Sequence, residues 1–376
     1  MITWIYQIGY KVIFVLLLCV SCKKSVQKGI ESIDIGLDQI EVPSTNLFDQ
    51  MEIHPLGGDA YPVIFEITRG RSNGRQYLFA DGNYDGNLIL CDKNGENLSR
   101  INQKGSQPTS YLELWDFELD TAGHIGVYDF QRQVLLTYHV NGDFINKFSI
   151  GYNFLRFTWF ENNLILFTAK HANYVNNKSI NFDLLWISPE GEITQSLIPF
   201  DENKFKSVRM HSSNPFLRNQ SQLFFNDILS DTVYRIQNDT IIPQYCFTYP
   251  NPMNYAYFLK DGHEEFVKSC IEKDARLRNK SFGATVKAIS DKFIIYSFNS
   301  NFKKHNGIYS IASGNNRVFE SHSLGNIDML DPFFVDDNKF VVVVPMYLVK
   351  DILPDVDVRF TDPEQPMLLK YSIRDF

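Results

Sequence analysis

The turn residues Gly95, Gly142, Gly191 and Asp239 are spaced 47, 49 and 48 residues apart. Each closes the same unit: a β-rich run, a polar turn and a second β-rich run, at 88–98, 135–145, 184–193 and 233–241. One hairpin of this kind cannot bury an apolar face by itself. A hairpin period in the forties therefore predicts blades stacked around an axis. Asn-Gly at such a turn suits a tight hairpin, because both residues accept positive φ.

Two further units, at 307–316 and 367–375, bring the count to six. Each unit has an apolar run upstream that fits the preceding strand, at 76–80, 125–128, 163–168, 222–225, 292–298 and 339–345. Val341 to Val344 is continuously apolar and reads as a strand buried on both faces. The chain ends after the third strand of the sixth unit. An unpaired β run, Met51 to Leu56, lies at the other end, and is expected to complete the last blade and cover its open edge. The expected fold class is all-β, a six-bladed β-propeller with four-stranded blades closed by that N-terminal strand. Apolar residues at helical spacing within about 250–282 predict a short helical insert between blades four and five. The 31 Phe and 19 Tyr among 376 residues are first a supply of blade packing.

The first residues read as an address. Lys11 precedes the apolar run Val12–Val20, too short to span a bilayer comfortably but suited to a signal-peptide core. Val20-Ser21-Cys22 follows, and resembles a bacterial lipobox with Cys19 where Leu is usual. The expected organisation is a lipoprotein signal peptide at 1–21, a tether at 22–44 and the propeller at 45–376. Cys22 is the lipidation candidate. Lys23 and Lys24 stand where an Asp would signal inner-membrane retention, so the expected location is the outer membrane, facing the periplasm, with the cell surface as the alternative. Cys91, Cys246 and Cys270 form no C-x-x-C pair, so no disulfide framework is expected, and Cys91 and Cys246 read as buried thiols.

The stretch Asp120-Thr121-Ala122-Gly123-His124-Ile125-Gly126-Val127-Tyr128-Asp129, with Arg132-Gln133-Val134, resembles an NHL-type repeat. Residues 45–376 resemble the six-bladed NHL/TolB-like propeller lipoproteins of Bacteroides-type bacteria. In that family a loop of the form G-x-K-G-x-G-P-x-E-Y follows the opening strands. Here Lys104, Gly105, Pro108 and Tyr111 match it, while Asn102, Gln107 and Ser110 depart. The resemblance implies fold and location, and no reaction.

The long connections all fall on the face shared by the second-to-third-strand and blade-to-blade loops. They include 81–87, 170–182, 299–306 and 346–366. Ligand contacts commonly sit on loops held by a rigid scaffold. The candidates are Tyr84, Asp85, Lys104, Phe130, Arg132, His171, Tyr174, Lys303, His305, Tyr347 and Arg359. Rings mixed with amides and charges suit a glycan, peptide or protein ligand. Catalytic motifs are missing: there is no G-x-S-x-G elbow, and His263-Glu264-Glu265 lacks the second histidine of a zincin. Asp351, Asp355, Asp357 and Asp362 lack the EF-hand order and read as a solvated loop, so no metal or other cofactor is expected. A net charge of −8, without clustered Lys/Arg, argues against nucleic acid. The expected protein is a monomeric, membrane-tethered binding or scaffold module. The alternative is a propeller hydrolase or lyase acting on a carbohydrate. Replacing Cys22 by Ala is expected to release the protein from the membrane fraction on cell fractionation, and unchanged association would exclude the lipid tether.

Overall fold

The repeats fold as antiparallel hairpins whose turns explain the spacing. In the first three, a backbone N–H of Gly95, Gly142 or Gly191 donates to the carbonyl three residues back, at 2.8–3.1 Å. Each of these glycines takes positive φ, between 77° and 89°, and the residue before it does not. A one-residue register shift follows in the second and third units. The turns are thus four-residue turns with a glycine bulge, and not the two-residue mirror-image turns that Asn-Gly predicts.

The computed structural model describes residues 29–376, except 39, 43, 58–66, 83–85, 97–98, 162, 203–210, 255–267, 271, 321–328 and 353–364. The chain divides into two units, Met1–Glu31 and Ser32–Phe376, and the ring belongs to the second. Three strands precede the repeats: β1 (Glu31–Asp34), β2 (Ile40–Glu41) and β3 (Phe48–Pro55). Blade one is β4 (Ile67–Ser72), β5 (Gln76–Asp81), β6 (Leu88–Asp92) and β7 (Ser99–Ile101). Blade two is β8 (Leu114–Leu119), β9 (His124–Asp129), β10 (Val134–His139) and β11 (Phe144–Ser149). Blade three is β12 (Arg156–Phe160), β13 (Asn163–Phe167), β16 (Phe182–Ile187) and β17 (Ile193–Pro199). A small hairpin, β14 (Asn173–Val175) and β15 (Lys178–Ile180), rises from its middle connection. Blade four is β18 (Phe216–Asn219), β19 (Gln222–Phe225), β20 (Thr232–Gln237) and β21 (Thr240–Thr248). Blade five is β22 (Ser281–Ile289), β23 (Phe293–Ser300), β24 (Lys303–Ser310) and β25 (Asn316–Glu320). Blade six is β26 (Phe334–Asp336), β27 (Lys339–Pro345) and β28 (Pro366–Ile373), with β3 as its outer strand.

The closure expected from the sequence is therefore present. β3 runs antiparallel to β28, from Pro55 opposite Met367 to Phe48 opposite Ile373. Phe48 meets the Tyr371 ring edge-on at 4.9 Å. Each pair of neighbouring blades has its own apolar core. Leu78 and Phe117 share the core of blades one and two, and Leu135 and Phe157 that of two and three. Phe167 and Phe225 join three to four, and Phe247 and Tyr296 join four to five. Phe293 and Phe340 join five to six, and Val341 and Phe79 return the ring from six to one. Burying one large apolar side chain contributes about 1.5–3 kcal/mol, so these six interfaces carry the ring.

Three expectations change. Blades four and five have five strands. β1 adds to β21, and β2 pairs in parallel with β25, so part of the 22–44 segment lies along the ring. The polar stretch 299–306 is not a loop, because β23 and β24 continue to a two-residue turn at Asn301 and Phe302, both at positive φ. Cys246 is half-buried, whereas Cys91 is buried, and among the described residues all cysteines are free thiols. Much of the predicted helical insert lies outside the described residues; its described part holds α-helical residues 268–270 and a 3-10 turn, Ala275–Leu277. Leu277 and Cys270 of that insert pack with Met253 and Phe282.

Two glycines mark where rings need room. A Cβ on Gly307 would lie 2.1 Å from the ring of its cross-strand partner Tyr296, and one on Gly126 would lie 2.1 Å from Trp159 of the next blade. Gly307→Ala is expected to lower stability by about 1–3 kcal/mol in urea unfolding, the usual effect of overpacking. Gly36→Ala, which meets nothing within 4 Å, is the control. Equal midpoints for the two variants would refute this packing account.

Candidate functional site

The inner strand of each blade faces the axis. Contacts run from β18 to β22, β26, β4, β8 and β12. Along a strand, alternate residues share a face, so an inner strand presents every second side chain to the channel. The charged residues sit at that spacing: Arg69 and Arg71 on β4, Asp116 and Glu118 on β8, and Arg156 on β12. Gly70 separates the two arginines because a Cβ there would meet the rings of Phe79 and Phe334 at 2.9 Å.

Asp116 is fully buried and ties three blades together. Arg69 Nη1 donates to its Oδ1 at 2.7 Å, and the backbone N–H of Phe157 donates to its Oδ2 at 3.0 Å. Arg71 and Arg156 stand 3.8 and 4.0 Å from Oδ1. Arg71 Nε is 3.5 Å from Glu118 Oε2. Three guanidinium groups thus share two carboxylates. Burial, and then the charges of Arg156 and Arg71, pull the pKa of Arg69 down to about 10 against the pull of Asp116. Burial lowers Arg156 in the same way. Arg69 still carries its charge at neutral pH. Arg156 Nε also donates to the Ser213 carbonyl at 3.0 Å, and Arg218 donates to Thr158 Oγ1 at 3.0 Å and to the Trp159 carbonyl.

Above this cluster a cavity of about 360 Å³ opens on the face of the long connections. Its wall includes Arg69, Arg71, Lys287 and Asp331, the segment Ser212–Asn214, and the apolar Val342–Val344 with Leu348. Leu348 belongs to helix α1 (Met346–Ile352) in the blade-six connection. Lys287 Nζ meets Asp331 Oδ1 at 3.0 Å. A smaller cavity of about 40 Å³ adjoins it, sharing Arg71 and also lined by Glu118 and Arg218, and a third of about 310 Å³ lies at the other face. Ser212 Oγ and Asn214 Oδ1 are buried without a hydrogen-bond partner in the protein. Buried polar atoms are nearly always paired, so these two are exceptions within the wall.

A second charged cluster lies between blades three and four. Lys170 pairs with Asp183, and its Nζ is 3.6 Å from Asp227. Burial raises the Asp227 carboxyl, against the Lys170 charge, and lowers Lys170. Neither carboxylate is among the residues lining the large cavity.

None of the described loop candidates lines that cavity. Arg132 is spent on structure. It donates to the carbonyls of Gly105, Ser106, Gln107 and Ser110 at 2.5–3.4 Å and so holds the 102–111 loop, on which Lys104 is exposed. Tyr111 of the same loop is buried and donates to the Gly86 carbonyl at 2.5 Å. Phe130 is exposed and stacks on Trp115 at 4.8 Å. His171 is exposed, and Tyr174 on the β14–β15 hairpin donates to Glu202 at 3.2 Å. Lys303 and His305 belong to β24; His305 is buried and stacks on Phe298 at 5.3 Å. Tyr347 is exposed on α1. Cys22, Tyr84, Asp85 and Arg359 lie outside the described residues, as do Asp355, Asp357 and Asp362.

The channel residues were missed because attention to loops passes over strands. The available signal was charge at i, i+2 inside the β-rich runs Ile67–Ser72 and Leu114–Leu119. Asp116→Asn is expected to destabilise the fold by about 3–5 kcal/mol in urea unfolding, because it leaves a buried guanidinium cluster short of its central carboxylate. Wild-type stability would refute its role as the hub.

Comparison with known proteins agrees with this architecture. A Bacteroides fragilis protein described as exported shares the fold at a TM-score of 0.74 and 16% identity, over 92% of this chain and 100% of that one. A member of the DUF4221 family from Bacteroides vulgatus has a TM-score of 0.52 and 10% identity, over 89% of this chain and 100% of that one. No curated protein matches the sequence. Among the described residues, no helix is long and apolar enough to cross a membrane. Residues 35–369 match the model of a family described as a domain of unknown function, DUF4934, and the chain belongs to that family.

Proposed function

We propose that this protein is an exported propeller that binds a ligand, a glycan, peptide or protein segment, at the loop-face mouth of its axial channel. The observation that carries the reading is the cavity of about 360 Å³, whose wall brings Arg69, Arg71 and Lys287 together with an apolar side, Val342–Val344 and Leu348. Its volume falls in the range of about 300–1,000 Å³ usual for small-molecule sites, and its wall is part apolar and part charged, as such sites are. The lipobox-like Cys22 supports a membrane tether, with the ring facing the periplasm as a monomer, and the NHL/TolB-like motif at Asp120–Val134 supports that lineage.

A hydrolase or lyase needs two convergent acid/base groups. Among the described lining residues the large cavity has one carboxylate, Asp331, and it is paired with Lys287. Binding without turnover is therefore the preferred reading.

The test is a thermal-shift and calorimetric screen of the full chain in detergent against glycans and peptides, repeated with Ser213→Trp. Ser213 is an exposed residue of the cavity wall, so the larger ring is expected to block the mouth while leaving the fold intact. A ligand whose affinity falls at least about tenfold in the variant supports the reading. A ligand bound equally by both proteins would move the site elsewhere.

A further inference from the structure

We infer that the loop-face cavity is built for a small hydroxyl-rich anion, such as a hexuronic acid, whose carboxylate lies between Arg71 and Lys287. The inference rests on the binding reading of this cavity and names the class of ligand it takes.

Arg71 carries the argument. It lines both the large cavity and the smaller one beside it, yet the residue is only 8% exposed. A guanidinium has five N–H donors. Arg71 makes one hydrogen bond, from Nη1 to the Gly70 carbonyl at 3.0 Å. The carboxylates near it stand off at 3.5 and 3.8 Å, beyond the about 2.7–3.2 Å of a formed hydrogen bond. The unbonded Nε and Nη2 of Arg71 are not fully buried, so they stay open to a partner, and an oxyanion is the partner that fills two such donors in parallel.

Lys287 supplies the second cation. Its side chain is 16% exposed and pairs once, with Asp331 at 3.0 Å. With Arg69 also in the wall, three cations face one carboxylate there. The local balance is positive in a chain whose net charge is −8.

The remaining wall says what the anion is attached to. Thr68 and Ser213 are exposed in the same wall, and each hydroxyl can donate to and accept from a ligand hydroxyl. Val342–Val344 and Leu348 offer an apolar side for the C–H face of a sugar ring. Carboxylate, hydroxyls and an apolar ring face together describe a sugar acid. A sugar phosphate offers the same chemistry from another source.

Titration calorimetry of the full chain in detergent, with glucuronate, glucose 6-phosphate and glucose as probes, tests this. Glucuronate is expected to bind at least about tenfold more tightly than glucose, the usual effect of one charge-assisted hydrogen bond. Arg71→Met and Lys287→Gln are each expected to weaken glucuronate about tenfold and leave glucose unchanged. Lys287→Gln leaves the Asp116 hub intact, so it keeps the test valid if Arg71→Met fails to fold. Equal or tighter binding of glucose 6-phosphate keeps the anion site and assigns it to phosphate. Equal affinities for glucose and glucuronate would overturn the anion inference. So would binding of neutral glycans or peptides at the mouth with no response to either anion, and the binding reading would then stand. If no glycan, peptide or sugar acid binds, the binding reading falls as well.

Discussion

Closure of the ring by β3 is the constraint on which the rest depends. β28 is the third strand of blade six, and without β3 it is an open edge with its apolar face uncovered. β3 supplies the missing strand from the opposite end of the chain, and its Phe48 enters the core shared by blades five and six. The six inter-blade cores form a closed series, so each blade is held from both sides. The channel exists because of that closure. Six inner strands converge on one axis only when the first and last blades meet. In the same way β1 and β2 lie along blades four and five, and Arg317 pairs with Glu41 to hold the second of them. The N-terminal segment is thus part of the ring's perimeter before it closes it.

Much of this was legible in the sequence for a physical reason. The second and third strands of most blades are buried on both faces, so they read as apolar runs bounded by turns. The run 339–345 coincides with β27, and 222–225 with β19. The inner strands were less legible because they touch neighbouring blades on one side and the channel on the other. Their polar residues look like exposed loop chemistry. Arg69, Arg71, Asp116 and Glu118 belong to that class; the two arginines line the cavity and the two carboxylates stand beside them. β1 and β2 were invisible for a different reason, since their partners lie more than two hundred residues away and neither carries a pattern of its own. The stretch 299–306 misled because Lys303 and Lys304 sit at the exposed end of a hairpin, where polar residues are tolerated in strands, while His305 is buried against Phe298.

The charged channel separates into a structural part and a part with spare capacity. Arg69 is engaged by Asp116 and by the Trp115 carbonyl, and Arg156 by the carbonyls of Ser213 and Leu155. Each makes two hydrogen bonds and so ties neighbouring segments together. Arg71 lies deeper, in the same cluster, with its carboxylates held at a distance. Its Nε and Nη2 are unbonded and not fully buried, so they remain open to a further partner. The same logic separates this cluster from Lys170, Asp183 and Asp227, where the cation sits between two buried carboxylates away from the large cavity.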